Sequence, residues 1–429
     1  MDKSVPSRRW LRIIPVALLM YTIAYIDKSN VSFAFSGMEK DLGFGATASG
    51  LVSGILFFGY LFTQMAGGYM ASRSSPKKIV FWLLIIWGLF AMLTGLAHNL
   101  TELLIARFML GLAEGGVFPS TIVLFSRWFP SHERARATGY WILCQSLGSI
   151  VMAPLSGWIL YLLNWRWLFF IEGAMPWVWA IVWWIFISDD PRQANWISEE
   201  ERNYIVTALE AEQNSIPRGK TNYLEALRDK RVWILLVYLL FEQIGYYGVS
   251  MWLPTIVKSF SHQGSVGVGY LTALPWIAAM IGIIINSNHS DRTGERIKHA
   301  SYPLMIGAIF LVASVLIGAS HPVWSLVCTI LAVGVMNSYN GVVWAIPASI
   351  FASNNLGGTV GFINGIANLG GFFGPFIVGF LIQSTGHFLY GTIFNAVCLI
   401  VAGLVILPLA NPGFKSGKGN YVNHAVRSK

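Results

Sequence analysis

The chain has 429 residues, 55% of them hydrophobic and 11% charged, with 14% aromatics, 43 Gly and a formal net charge of +9. Soluble globular chains carry about 25% charged residues, so this chain, at a mean hydropathy of +0.58, lacks the polar surface to cover two or three soluble cores. Its three Cys, Cys144, Cys328 and Cys398, sit in apolar runs without metal-ligand spacing, which excludes a disulfide scaffold and leaves a polytopic membrane protein.

A hydrocarbon core of about 30 Å needs roughly 20 apolar residues in a helix. That ruler predicts six spans near 11–35, 47–71, 79–97, 101–125, 136–163 and 166–187. Six more follow near 232–257, 266–288, 301–319, 323–349, 356–383 and 387–408. The expected fold is an all-α membrane protein of twelve transmembrane helices. Two six-helix halves, 1–187 and 232–410, are joined by a linker at 188–231 and followed by a tail at 411–429. Pro154, Pro275, Pro347 and Pro375 inside spans are tolerable because bundled membrane helices re-satisfy freed backbone groups. Gly357, Gly358, Gly365, Gly370, Gly371 and Gly374 predict close helix–helix contact. In the linker, Ser198 to Glu201 reads as a capping box. Ile205, Ala208 and Leu209 then share one face, so a short amphipathic helix at the membrane surface is expected.

The basic residues fall on one side. The N-terminus, the loops after spans two, four and eight, the linker and the tail hold 24 of the 29 Lys and Arg. By the positive-inside rule both termini and the linker are cytoplasmic. The basic balance is therefore a topology signal, and no nucleic-acid partner is expected. The first apolar run is of full span length without a small-residue cleavage site, so no cleavable signal peptide is expected.

The turn from Gly68 to Lys78, with Arg73, has a counterpart from Asn288 to Arg296 at the same place in the second half. Duplicated halves around a midplane site are the architecture of many secondary transporters. The second turn, with Asp291, Arg292, Gly294 and Arg296, resembles the signature loop of the major facilitator superfamily. The first departs from it, with Ser72 where the family has Asp. Tyr25 to Asn30, Arg107 to Gly116, and Trp128-Phe129-Pro130 with Glu133-Arg134 resemble the anion:cation symporters within that superfamily. Ser7 to Trp10, Trp165 to Phe169 and Ala194 to Ser198 are similar to bacterial sugar-acid permeases of the galactonate type. The resemblance implies the major facilitator fold, a bacterial inner membrane, gating by the two signature loops, and proton coupling through Arg107 and Glu114.

Ionisable residues within spans cost about 2.5–3.5 kcal/mol each on insertion scales and so call for a reason. Six qualify: Asp27, Lys28, Arg107, Glu114, Glu172 and Glu242. Asp27 and Lys28 are adjacent and point roughly 100° apart, so one can face a cavity while the other finds an interhelical partner. Lys28 suits a substrate carboxylate; a structural ion pair is the alternative. Arg107 and Glu114 are two turns apart and share a face of span four. Desolvation there favours a protonated carboxyl and a nearby cation favours the charged form, the competition that a proton carrier needs. A fixed salt bridge is the alternative. Glu172 reads as a structural brace, and Glu242 stays open between structure and function. His289 and His299 are expected to be solvated in a loop.

Tyr60 and Gln64 in span two, Gln145 in span five and Tyr246 and Tyr247 in span seven are polar groups that could grip hydroxyls. Asn337, Asn340, Trp344 and Asn364 would complete the set from the second half. The expectation is a monomeric proton-coupled importer of a small organic anion, most simply a sugar acid such as galactonate. Asp27, Glu114 and Arg107 would couple protons, with no metal and no cofactor beyond protons. An anion exchanger, or a symporter of a dicarboxylate or aromatic acid, is the nearest rival. A non-transporting sensor usually carries long cytoplasmic extensions, and an embedded enzyme would need a metal motif or a nucleophile–base pair.

Overall fold

The computed structural model describes residues 7–215, 228–350 and 353–410. Among the described residues, twelve helices are long and apolar enough to cross a bilayer. Spans one to six are Arg8–Leu42, Ala46–Arg73, Pro76–Leu96, Leu100–Trp128, Ser131–Leu162 and Trp165–Phe186. Spans seven to twelve are Lys230–Ser261, Ser265–Thr293, Ile297–Ser320, Pro322–Pro347, Thr359–Thr385 and Phe388–Ala410. Every regular element among the described residues is helical. The tail at 411–429 and the linker stretch 216–227 lie outside the described residues, as do the packing contacts of Gly357 and Gly358.

Most spans outrun the apolar stretches that predict them, because caps and not hydropathy end a helix. Span one continues to Leu42, where Gly43 takes a left-handed φ of 70° and its N–H closes onto the Glu39 carbonyl. Asn99 starts span four by accepting the Glu102 N–H at 2.9 Å, and Asn164 starts span six by accepting the Arg166 N–H at 3.1 Å.

Four spans are interrupted within their length. Span four is interrupted at Gly116, span five at Leu143, span ten at Ser338-Tyr339 and again at Trp344, and span eleven at Asn368-Leu369. Tight i→i+3 turns bridge some of the gaps, such as Ser338 N–H to Val335 O at 3.1 Å and Leu369 N–H to Ile366 O at 3.0 Å. The backbone keeps right-handed helical angles at these points, Gly116 at φ −79°, ψ −15° and Leu143 at φ −58°, ψ −19°, so each is a local interruption of the i→i+4 ladder and not a break in the helix. The interruptions adjoin Glu114, Gln145, Tyr339 and Asn368, so they mark where polar side chains gather.

With an even number of spans, the start of span one at Arg8 and the end of span twelve at Ala410 lie on one side, the side of the termini. Span two packs on spans four and eleven, and span five on span eight. The two inter-half seams close tightly on the side away from the termini. A Cβ on Gly54 would sit 2.7 Å from the Phe372 carbonyl, and one on Gly157 or Gly269 would sit 2.6 Å from the carbonyl of Ser265 or Ala153. Toward the outer ends of the same seams, the Thr47 N–H donates to Gln383 at 2.9 Å and the Trp158 indole to the Tyr270 hydroxyl at 3.2 Å. Of the predicted glycine contacts, Gly370 and Gly374 meet the span seven backbone and Gly371 meets the Phe57 ring, whereas Gly365 faces open space.

The linker helix, Glu199–Ser215, is capped by the Ser198 hydroxyl, which accepts the Glu201 N–H at 3.2 Å. It lies on the first half on the side of the termini. Ile205 is buried there, and Arg9 bridges Glu201 and Glu133 at 2.8 Å each.

Candidate functional site

Span one delivers Asp27 and Lys28 in different directions, as adjacent helical positions must. Asp27 turns to span three, where the Trp87 indole N–H donates to its Oδ2 at 2.7 Å; the Asn30 amide approaches its Oδ1 at 3.4 Å. Lys28 turns to span two. Its Nζ lies 4.6 Å from the Tyr60 ring centre, 4.8 Å from Tyr25 and 5.6 Å from Phe57. The ammonium is thus held by aromatic faces, a contact worth about 2 kcal/mol when desolvated. Among the described residues it has no carboxylate within 4.0 Å.

Span four presents Arg107 and Glu114 to span two, one face as their spacing implies. The Tyr60 hydroxyl donates a short hydrogen bond to Glu114 Oε2. Gly111 and Gly115 permit this approach, since a Cβ on Gly115 would lie 2.9 Å from the Tyr60 Cα. Arg107 is completely buried, and its one hydrogen bond runs from Nε to the Val52 carbonyl at 3.5 Å. Among the described residues, both of its terminal nitrogens, and Glu114 Oε1, have no hydrogen-bond partner. The fixed salt bridge weighed from the sequence is not formed. Among the described residues, none of the six intramembrane charges makes an ion pair within 4.0 Å; every such pair lies near helix ends or in loops.

A second buried tyrosine–carboxylate pair lies wholly in the other half. The Tyr339 hydroxyl of span ten donates a short hydrogen bond to Glu242 Oε1 of span seven. Glu172 in span six is fully buried, with the Ser156 hydroxyl at 3.4 Å and Oε2 unpartnered.

Two polar contacts cross between the halves near mid-depth. The Gln145 amide donates to the Tyr246 hydroxyl at 2.8 Å, and the Asn368 amide donates to Gln64 at 3.0 Å. Tyr247 packs on Phe57 with ring centres 4.3 Å apart. Lys28, Tyr60, Gln145 and Tyr247 therefore belong to one neighbourhood. Asn340, Trp344 and Asn364 have no hydrogen bond to it among the described residues; Trp344 is exposed, and Asn340 and Asn364 are half-buried. Asn337 donates one amide N–H to its own helix at Val333 O, 2.8 Å. Sequence reasoning missed Trp87, Phe57, Tyr339 and Asn368. Three of these are aromatics indistinguishable by pattern from ordinary span residues, and Asn368 alone carried a signal, as an amide inside an apolar span.

The two signature loops are built differently. In the first, the Arg127 guanidinium donates to the carbonyls of Ala71 and Ser74 at 3.0 and 2.9 Å, and Arg73 lies over the Tyr69 ring. Asp189, just past the end of the sixth span, accepts the Lys77 N–H at 2.9 Å and the Ser75 hydroxyl at 2.5 Å. In the second, Asp291 pairs with Arg296 at 3.5 Å, Gly294 ends span eight at a φ of 69°, and Arg292 is exposed. His289 and His299 are not simply solvated. His289 Nδ1 lies 2.6 Å from His299 Nε2, and His299 Nδ1 lies 3.2 Å from Glu295.

The family model of the Major Facilitator Superfamily matches residues 17–338. A putative tartrate transporter of Agrobacterium vitis is 33% identical over 94% of this chain and 91% of its own length. A quinolone resistance transporter of Acinetobacter baumannii is 29% identical, with 98% of each chain covered. A D-galactonate transporter of Escherichia coli O6:H1 is 25% identical over 94% of this chain and 96% of its own. Among solved structures, an inward-facing, occupied bacterial homologue of the human lysosomal transporter Spinster matches with a TM-score of 0.75 at 16% identity, covering 94% of this chain and 98% of that one.

Proposed function

The chain belongs to the major facilitator superfamily and is a multi-pass secondary transporter; from that premise we propose that it imports a hydroxylated organic acid, first a sugar acid such as galactonate, together with protons. The observation that carries this reading is Lys28, a buried cation without an ion pair, set beside the Tyr60–Glu114 hydrogen bond. While Glu114 is ionised, its charge competes for the nearby cation. A proton on Glu114 removes that competition and leaves Lys28 to a substrate carboxylate. Binding of anion and proton then favour each other, which is what symport requires.

In this scheme Asp27 is the second proton site, and Arg107 is the cation that balances whichever of Asp27 and Glu114 is charged. Gln145 and Tyr247 offer donors to substrate hydroxyls. Asn340, Trp344 and Asn364 join them only when the halves move. The basic loops support placing both termini in the cytoplasm, and the seams sealed on the far side support an inward-open state. Each six-helix half is the proposed moving body, with Arg73 in one signature loop and Asp291, Arg292, Gly294 and Arg296 in the other at the cytoplasmic gate. A monomer suffices, because every group named comes from one chain.

Importing an anion against a negative interior costs about 2.3 kcal/mol per charge per 100 mV. One proton neutralises a monocarboxylate, and two add a voltage drive. The test is uptake of labelled galactonate into proteoliposomes under an imposed inward pH gradient, with and without a membrane potential. Accumulation that collapses with a protonophore supports symport, whereas counterflow alone points to exchange. Glu114→Gln should lose gradient-driven uptake and keep exchange. The 33% identity to a putative tartrate transporter favours a second reading, a hydroxylated dicarboxylate; labelled tartrate in the same vesicles separates the two.

A further inference from the structure

On the outer flank of the C-terminal half, spans eight, nine and ten enclose a cleft of about 760 Å³. Its walls are Ile281 and Ile285 of span eight, Ile306 of span nine and Leu331 of span ten, all exposed along the flank. Behind it Gly282 sits against the Gly334 backbone, so spans eight and ten touch and form a floor. The cleft ends on the side of the termini at His289, Glu295, Lys298 and His299. One arm is apolar and open toward the hydrocarbon, and the other is polar at the membrane surface.

The charges at the polar end are unevenly committed. Glu295 accepts the Lys298 N–H at 2.9 Å and faces His299 at 3.2 Å, and Asp291 pairs with Arg296. Lys298 and Arg292 are exposed and have no carboxylate within 4.0 Å among the described residues. The first turn of span nine adds the positive end of a helix dipole.

We propose that this cleft is a binding site for an anionic glycerophospholipid of the leaflet on the side of the termini, one acyl chain lying between spans eight, nine and ten and the phosphodiester on Lys298. An acyl chain is the occupant that an apolar, laterally open cleft takes in a bilayer, because water there would lack the two to four polar partners it needs. The anionic headgroup follows from charge complementarity: the free charges are cations, while both carboxylates that could hold an ammonium are already engaged. Basic pockets between membrane helices recognise anionic headgroups in this way. The site is separate from Lys28 and Glu114, so it stands or falls independently of the transport reading.

The test is native mass spectrometry of the purified full chain with phosphatidylglycerol, phosphatidylcholine or soluble glycerol phosphate. The expected result is one phosphatidylglycerol retained in preference to phosphatidylcholine, and no adduct with glycerol phosphate. Lys298→Gln should weaken that retention by roughly five-fold, the effect of one Lys at an anionic surface. Leu331→Trp, which fills the mouth of the cleft without touching the cation, should abolish it. Equal retention of both lipids, retention indifferent to both substitutions, or an adduct with glycerol phosphate alone would overturn the proposal.

Discussion

The indole N–H of Trp87 in span three donates a 2.7 Å hydrogen bond to Asp27 Oδ2 in span one, and both residues are fully buried. This bond holds the carboxylate toward span three while its neighbour Lys28 reaches among Tyr25, Phe57 and Tyr60. Two adjacent opposite charges are thereby kept apart. Trp87→Phe retains most of the ring and removes the donor. A hydrogen bond to a charged group contributes about 1.5–3 kcal/mol, so denaturant unfolding in detergent should show a loss of that order. Gradient-driven uptake should fall about ten-fold, the equivalent of 1.4 kcal/mol. Unchanged uptake would show that Asp27 does not depend on Trp87.

Lys28 presents a point charge in an aromatic pocket, where Arg would present a planar fork. Lys28→Gln is expected to abolish substrate binding, measured by calorimetry on the purified protein. Lys28→Arg should bind with an affinity reduced by about ten-fold, because the larger fork must displace the rings of Tyr25 or Tyr60. Wild-type affinity in the Gln variant would remove Lys28 as the carboxylate anchor.

Arg9 is 2% exposed and joins Glu133 in the first turn of span five to Glu201 of the linker helix, both at 2.8 Å. Breaking a buried pair by removing one partner costs about 3–5 kcal/mol, because it strands a charge. Arg9→Ala strands two carboxylates, so the linker helix should detach. Faster proteolysis within residues 199–215, alongside a lower melting temperature, is the expected result. Undisturbed cleavage kinetics would mean that Ile205 packing alone holds the helix.

The seams on the side away from the termini rely on backbone-to-backbone approach. Gly157→Val puts a branched side chain against the Ser265 carbonyl, where a Cβ already lies at 2.6 Å. The seam should then fail to close, and the protein should shift toward the state open on that side. A thiol reagent applied from that side should label a Cys placed in the seam at least ten-fold faster than in the parent. Equal labelling would show that the seam yields without opening.

Much of the fold was legible residue by residue. Apolar runs of span length revealed all twelve helices, and Arg107 and Glu114, seven apart, declared their common face. The ends of span one were less legible, since Gly43 and not the last apolar residue terminates it. The candidate site was legible only in its charges. Lys28 announces itself as a cation where none should be, but its holders Phe57 and Tyr25 look like ordinary lipid-depth aromatics. The proposed hydroxyl donors divided accordingly: Gln145 meets Tyr246 across the halves, whereas Asn337 turned back onto its own helix.

Sequence by itself determined that this chain lives in a bilayer, how many times it crosses, and which buried charges require an explanation. Those are local properties, set by the cost of moving each residue from water into hydrocarbon. The partner of each charge was decided only by tertiary structure. Trp87 is 60 residues from Asp27, and Tyr60 is 54 residues from Glu114. Which of several equivalent aromatics reaches a carboxylate depends on how the spans cross, and that is fixed by glycine contacts and helix interruptions acting across the whole bundle.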